Sequence, residues 1–173
     1  DLGYMTQSVR DLVAETGYPG MKVLQFAFGS GSDNEYLPHN YTPNSVVYTG
    51  THDNETLMQY LECTEEHVRN HIREYMNRPH ASNEELCENL IWMAMSSVGK
   101  YCMIPLQDYL GLGKEARMNY PSTLGHNWEW RVRKEQLTHD LAGYIAHMTG
   151  LSYRWRIDPP KEEETNEKDT ENK

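Results

Sequence analysis

The chain has 173 residues and a formal net charge of −10, with 16 Lys and Arg against 26 Asp and Glu. That length allows one domain with a sizeable core, while the charge excludes a general nucleic-acid or anionic-membrane surface, because neutralising phosphate takes an excess of Lys and Arg. The aromatic content rests on 12 Tyr and 4 Trp against 2 Phe, so many of the rings can both pack and hydrogen-bond.

Thr6 is placed to N-cap a helix whose Val9, Leu12 and Val13 make one apolar stripe, and Gly17 stands where a C′ residue should. After the Tyr18-Pro19-Gly20 turn, Met21 to Phe28 is a largely apolar run of strand length. It is ended by Gly29-Ser30-Gly31-Ser32 and a polar loop that reaches Asn44; Asp33 and Glu35 lie in that loop and read as mobile. A second strand is predicted over 45–50, and Thr51-His52-Asp53-Asn54-Glu55-Thr56 follows it at once. A bare carboxylate beside a His, just past a strand-ending Gly, is what the C-terminal end of a parallel strand offers a ligand, so Asp53 is a candidate working carboxylate.

One helix is predicted after Thr64, with Val68, Ile72, Tyr75 and Met76 on a face. Another opens on a capping box of Ser82 and Glu85 and is apolar nearly all round from Leu86 to Val98, which predicts burial. Lys100 to Leu106 reads as a last short strand with Pro105 at its end. A loop rich in Gly, Asn and Pro leads to an amphipathic helix carrying Leu137, Leu141, Tyr144, Ile145 and Met148, with Gly150 behind it. Lys161 to Lys173 hold only charged residues, Thr and Asn, so a folded part over 1–157 and a disordered tail over 158–173 are expected.

Cys63, Cys87 and Cys102 lie far apart with no C-x-x-C, which suits a reducing compartment. The longest apolar run, Ile91 to Met95, is far too short to span a membrane. A cytoplasmic location is therefore expected, although a chain that begins at Asp1 leaves room for a targeting segment upstream. The alternation of helices and strands gives an α/β class built from parallel units, yet about three strands are too few to close a barrel of eight.

Six blocks occur in order: Asp1-Leu2-Gly3, Gly20 to Phe28, Leu37-Pro38-His39-Asn40-Tyr41, Tyr48 to Thr56, Pro105-Leu106-Gln107-Asp108, and Arg117-Met118-Asn119-Tyr120-Pro121 through Asn127-Trp128-Glu129-Trp130-Arg131. This series resembles the C-terminal part of the 4-α-glucanotransferases (amylomaltases or disproportionating enzymes, glycoside hydrolase family 77) over roughly residues 1 to 150. The resemblance implies the C-terminal part of a (β/α)8 TIM barrel, a retaining double displacement on maltooligosaccharides and α-1,4-glucans, and no metal or organic cofactor. It implies that Asp53 is the transition-state-stabilising Asp and that His52 donates to the glucosyl unit in the donor subsite. The acid/base Glu should directly precede Asp1, and the nucleophilic Asp should lie further upstream, so the missing N-terminal part of the barrel is an expected partner. Asp1 and Asn119 are expected to contact the sugars, with Phe28 and Trp128 as aromatic platforms.

Chemistry agrees with that division. Retaining cleavage needs two carboxyl groups about 5 to 5.5 Å apart, and a third helps only if its bonds to the sugar strengthen as the ring flattens. Two residues depart from the family pattern: Ser122 stands where Gly is usual, which matters if φ there is positive, and Glu55 stands where Asp is common. Plainer readings remain for several groups. Asp53 and His52 can be a satisfied loop pair, His67 and His71 at i,i+4 a solvated helix face rather than a metal clamp, and His126 and His147 structural. Phe28 and Trp128 can be core, and Asp108 can simply cap a helix. For the function, the alternatives are a retaining α-glucosidase-type hydrolase of the same wider superfamily and a non-catalytic carbohydrate-binding piece.

Overall fold

The computed structural model describes residues 6–155; Asp1, with its expected sugar contact, and the expected tail over 158–173 lie outside the described residues. Helix α1 spans Gln7–Thr16, with the Thr6 hydroxyl accepting from the Val9 N–H at 3.4 Å and Gly17 at φ 66°, both as the sequence predicts.

Strand β1, Gly20–Val23, is shorter than the apolar run that announces it. Its partner β2, Ser45–Tyr48, pairs in parallel from Gly20↔Ser45 to Val23↔Tyr48. Past Val23 the chain folds into a 3₁₀ turn over Leu24–Phe26. Leu24, Ala27 and Phe28 are apolar because they fill the core, at 0–1% exposure, and not because they extend a strand. The loop that follows is pinned by Glu35, which accepts from Arg10 at 2.7 Å and Lys22 at 3.1 Å; Glu35 is thus held by an ion-pair cluster joining α1 to β1, contrary to the mobility expected of it.

Parallel strands need a long crossover, and three helices make the second one: α2 (Leu57–Cys63), α3 (Glu66–Tyr75) and α4 (Asn83–Met95). The Ser82–Glu85 capping box forms at the start of α4. That helix stops at Met95 and buries one side only, through Leu86, Leu90, Ile91 and Ala94, leaving Trp92 36% and Val98 59% exposed. It then returns to β3, Tyr101–Met103, parallel to β2 in the order β1-β2-β3. Gly99 is required just before it, since a Cβ there would stand 2.5 Å from Val47 Cγ2.

A short helix α5, Leu106–Tyr109, follows Pro105, and α6 runs over His139–Leu151. Leu137 lies before α6 and Gly150 inside it; the helix ends at Ser152, and Met148 is its one buried residue among those described. Val47 and Cys102 on one sheet face pack into the cluster formed by Leu57, Leu61, Leu86 and Leu90. On the opposite face Tyr101 is 51% and Met103 54% exposed. Among the described residues, no helix is long and apolar enough to cross a membrane.

Candidate active site

Strand β2 leads directly into the loop that carries the expected site. Thr49, at its end, donates its hydroxyl to Asp108 Oδ2 at 2.6 Å, and the other oxygen of Asp108 accepts the Leu57 N–H at 2.8 Å. One carboxylate therefore fastens both ends of the 50–56 loop. Asp108 does cap a helix, but it caps α2 across space rather than its own α5. It is 3% exposed, and burial, the largest cause, pushes its pKa up to about 6 against the opposing pull of these two hydrogen bonds.

Within the loop, the Asn54 side chain accepts from the Thr51 N–H at 2.9 Å and the Thr51 hydroxyl at 2.8 Å. Gly50 permits a close approach from below: a Cβ there would lie 2.6 Å from Gln25 Nε2, which donates to the Glu55 carbonyl at 2.8 Å. This binds the end of β1 to the same loop.

The loop presents Asp53 at the C-terminal end of the sheet, its side chain 51% exposed. Asn119 Nδ2 donates to Asp53 Oδ1 at 2.6 Å, and His52 Nε2 stands 3.3 Å from the same oxygen. The His52 ring lies 5.0 Å, centroid to centroid, from that of Trp128, which is 50% exposed. Asp53, His52, Asn119 and Trp128 are thus brought together. A cleft of about 200 Å³ beside them is lined by Thr51, His52, Glu55, Gln107, Arg117 and Met118, among others.

Phe28 is not part of this group. It is 1% exposed, edge-on to His71 and Tyr75 at 5.7 Å each, so it offers no free ring face to a sugar and is a core residue. Phe26, two residues earlier at the end of the 3₁₀ turn that follows β1, is 47% exposed. His71 bonds the Phe28 carbonyl at 2.9 Å, so it belongs to the packing rather than to a solvated face. Among the described residues, no group of three or more His, Cys, Asp or Glu is arranged to hold a metal.

Arg117 was not singled out by the sequence. Its side chain, 10% exposed, donates to Glu55 Oε1 at 2.5 Å, the Asp53 carbonyl at 2.9 Å and the Asn119 carbonyl at 2.9 Å. Ser122, in the turn just beyond, has φ 63°, the left-handed region in which a Gly is at ease.

A carboxylate at parallel strand ends, oriented by an amide and flanked by an imidazole and an open indole, lies where α/β folds gather their ligand-binding side chains. The chain belongs to the 4-alpha-glucanotransferase family, whose model matches residues 1–138. It is 43% identical over 152 residues to the 4-alpha-glucanotransferase of Clostridium butyricum, covering 87% of this chain and 31% of that protein. It is 45% identical over 132 residues to the chloroplastic/amyloplastic enzyme of Solanum tuberosum, covering 76% of this chain and 23% of that one. Among solved structures, amylomaltase from Streptococcus agalactiae in complex with acarbose aligns with a TM-score of 0.81 at 34% identity, over 88% of this chain and 31% of that chain. The chain therefore spans about a third or less of the length of these relatives.

Proposed function

We propose that this chain supplies the third carboxylate and part of the sugar-binding surface of a 4-α-glucanotransferase, which moves α-1,4-glucan segments between maltooligosaccharides by a retaining double displacement. The observation that carries the reading is the Asp53 carboxylate: Oδ1 is held by Asn119 and neighboured by His52, while Oδ2 accepts no hydrogen bond from the described residues. A half-exposed, pre-oriented anion can bond a sugar hydroxyl and also stabilise the positive charge that grows as the ring flattens. The nucleophile and the acid/base belong, in this reading, to the barrel segment that precedes the chain.

A (β/α)8 barrel is supported by what the sheet leaves uncovered. Parallel sheets are covered on both faces, yet Tyr101 and Met103 are half-exposed, and β1 and β3 each have a free edge among the described residues. Trp128, open beside His52, suits a sugar face and would favour an acceptor sugar over water at the covalent intermediate; of the two Phe, Phe26 is the one with an exposed ring. A glucan ligand is in keeping with the acarbose held by the Streptococcus agalactiae amylomaltase. Three unpaired cysteines suit the reducing cytoplasm proposed as its location.

Maltotriose incubated with the chain and its upstream part together should yield longer oligomers on thin-layer plates. Asp53→Asn should lower turnover by on the order of 10²-fold or more, with much less change in ground-state binding. Kinetics within a few-fold of wild type would remove Asp53 from this role. Glucose and maltose as sole products would mean hydrolysis, and transfer by the chain alone would mean that the reacting carboxylates lie within it.

A further inference from the structure

The hydrogen bond from Asn119 to Asp53 joins two loops that are far apart in sequence, and something must hold the loops in register. Each is anchored below by its own contacts, the 50–56 loop by Asp108 and the 117–120 segment by Gln107 Nε2, which donates to the Ala116 carbonyl at 3.3 Å. Both anchors stand side by side on α5 and tie the bases of the two loops to one helix, but neither reaches the backbone of Asp53 or Asn119. Arg117 does: Nη2 reaches the Asp53 carbonyl, Nη1 the Glu55 carboxylate and Nε its own loop at the Asn119 carbonyl. Its guanidinium also lies 4.4 Å from the centre of the Tyr120 ring.

We infer that Arg117 is a positioning residue for the proposed reaction: one planar guanidinium bolts the Asp53 loop to the Asn119 loop and so sets the Asn119–Asp53 hydrogen bond. The inference rests on the function proposed above. Arg117 does not touch the Asp53 carboxylate; it holds the backbone of both residues that form the bond. The fork geometry is what the task needs, because three acceptors in three directions are met by donors whose angles are fixed. Lys would keep the charge and the Glu55 attraction but lack an Nε donor, and would leave at least one backbone carbonyl unbonded. Glu55, one methylene longer than the residue common in the family at this position, completes the bolt by fixing Nη1.

The test uses the chain together with its upstream part, assayed for transfer on maltotriose, with Arg117→Lys, Asp53→Asn and the double variant. Displacing a catalytic group by a fraction of an ångström to an ångström costs up to about 10²-fold in rate, so Arg117→Lys should lower kcat about 10- to 100-fold, with KM within about three-fold. In the Asp53→Asn background the same change should cost less than about three-fold, because the residue acts through Asp53. A merely structural role would lower the melting temperature and multiply its cost in either background. If Arg117→Lys does not fold, Glu55→Gln carries the same test, with a smaller loss of kcat that again vanishes beside Asp53→Asn. Wild-type kcat in Arg117→Lys, or fully multiplicative losses, would overturn the inference while leaving the proposed function standing. Absence of transfer by the wild-type assembly would overturn both.

Discussion

Asp108 is buried at 3% exposure yet accepts two hydrogen bonds that favour its charged form. Burial outweighs them, and the pKa rises from 3.8 to about 6. A rise of that size corresponds to roughly 3 kcal/mol between the two protonation states. Below about pH 4 the carboxyl is protonated in both folded and unfolded chains. Between about 4 and 6 the folded chain holds a proton that the unfolded chain has released, so stability from this group falls as pH rises through that window, then levels off above about 6. Cys87 on α4, whose thiol donates to the Asp108 carbonyl at 3.7 Å, is pushed up to about 12, chiefly by burial, and stays a neutral thiol throughout. Asp108→Asn is neutral at every pH and can serve both partners, its amide oxygen accepting from Leu57 and its NH₂ donating to Thr49. Relative to wild type, the variant should therefore gain up to roughly 3 kcal/mol on going from pH 4 to pH 7. For a domain of 150 to 250 residues this is a melting-temperature gap that widens by roughly 6 to 12 °C, and by less in a longer protein. Scanning calorimetry of both proteins at the two pH values measures it, and all other titrating groups cancel in the difference. An equal gap at pH 4 and pH 7 would refute the argument, since it would mean that the carboxyl titrates alike folded and unfolded.

Ser122→Gly should stabilise the protein by up to about 1 kcal/mol, because a left-handed backbone costs a non-Gly residue about that much before the added entropy of Gly is counted; chemical denaturation midpoints read the change directly. Phe28→Ala should destabilise by about 3 to 5 kcal/mol, the cost of emptying a core site. Trp128→Ala should leave the melting temperature nearly unchanged and instead raise the share of hydrolysis in maltotriose digests; the opposite pattern for the two rings would mean that core and platform have been exchanged.

Local signals were legible and long-range ones were not. Thr6, Gly17 and the Ser82–Glu85 box act within a few residues of themselves, so their spacing suffices to locate α1 and α4. The strand predicted over 21–28 overran because hydrophobicity reports burial, whereas strand length is set by the partner, and β2 ends at Tyr48. The left-handed turn at Ser122 could be anticipated only because a Gly is usual there. The bonds that organise the site join residues about sixty positions apart: Thr49 to Asp108, Glu55 to Arg117, Asp53 to Asn119. No periodicity encodes such a pair, and nothing local marks Arg117 as the residue that joins the two loops.

The choice of a neutral partner for Asp53 is itself informative. The neighbouring Arg117 could have been aimed at the Asp53 carboxylate, but its charge goes to Glu55 and it meets Asp53 only at the backbone carbonyl. A guanidinium on the carboxylate would orient it equally well and would cancel its field. Asn119 orients it and leaves the charge intact. In the proposed reaction that charge is the useful quantity: at 4 Å and an effective dielectric constant near 20, one unit of it is worth about 4 kcal/mol to a fully cationic ring. A loss of 10²-fold on Asp53→Asn needs only about 2.7 kcal/mol, which is within that range even for a ring that carries part of a charge at the transition state. On the proposed function, the arrangement keeps the cation that builds the site electrically satisfied by Glu55 and leaves the charge of Asp53 for the sugar ring.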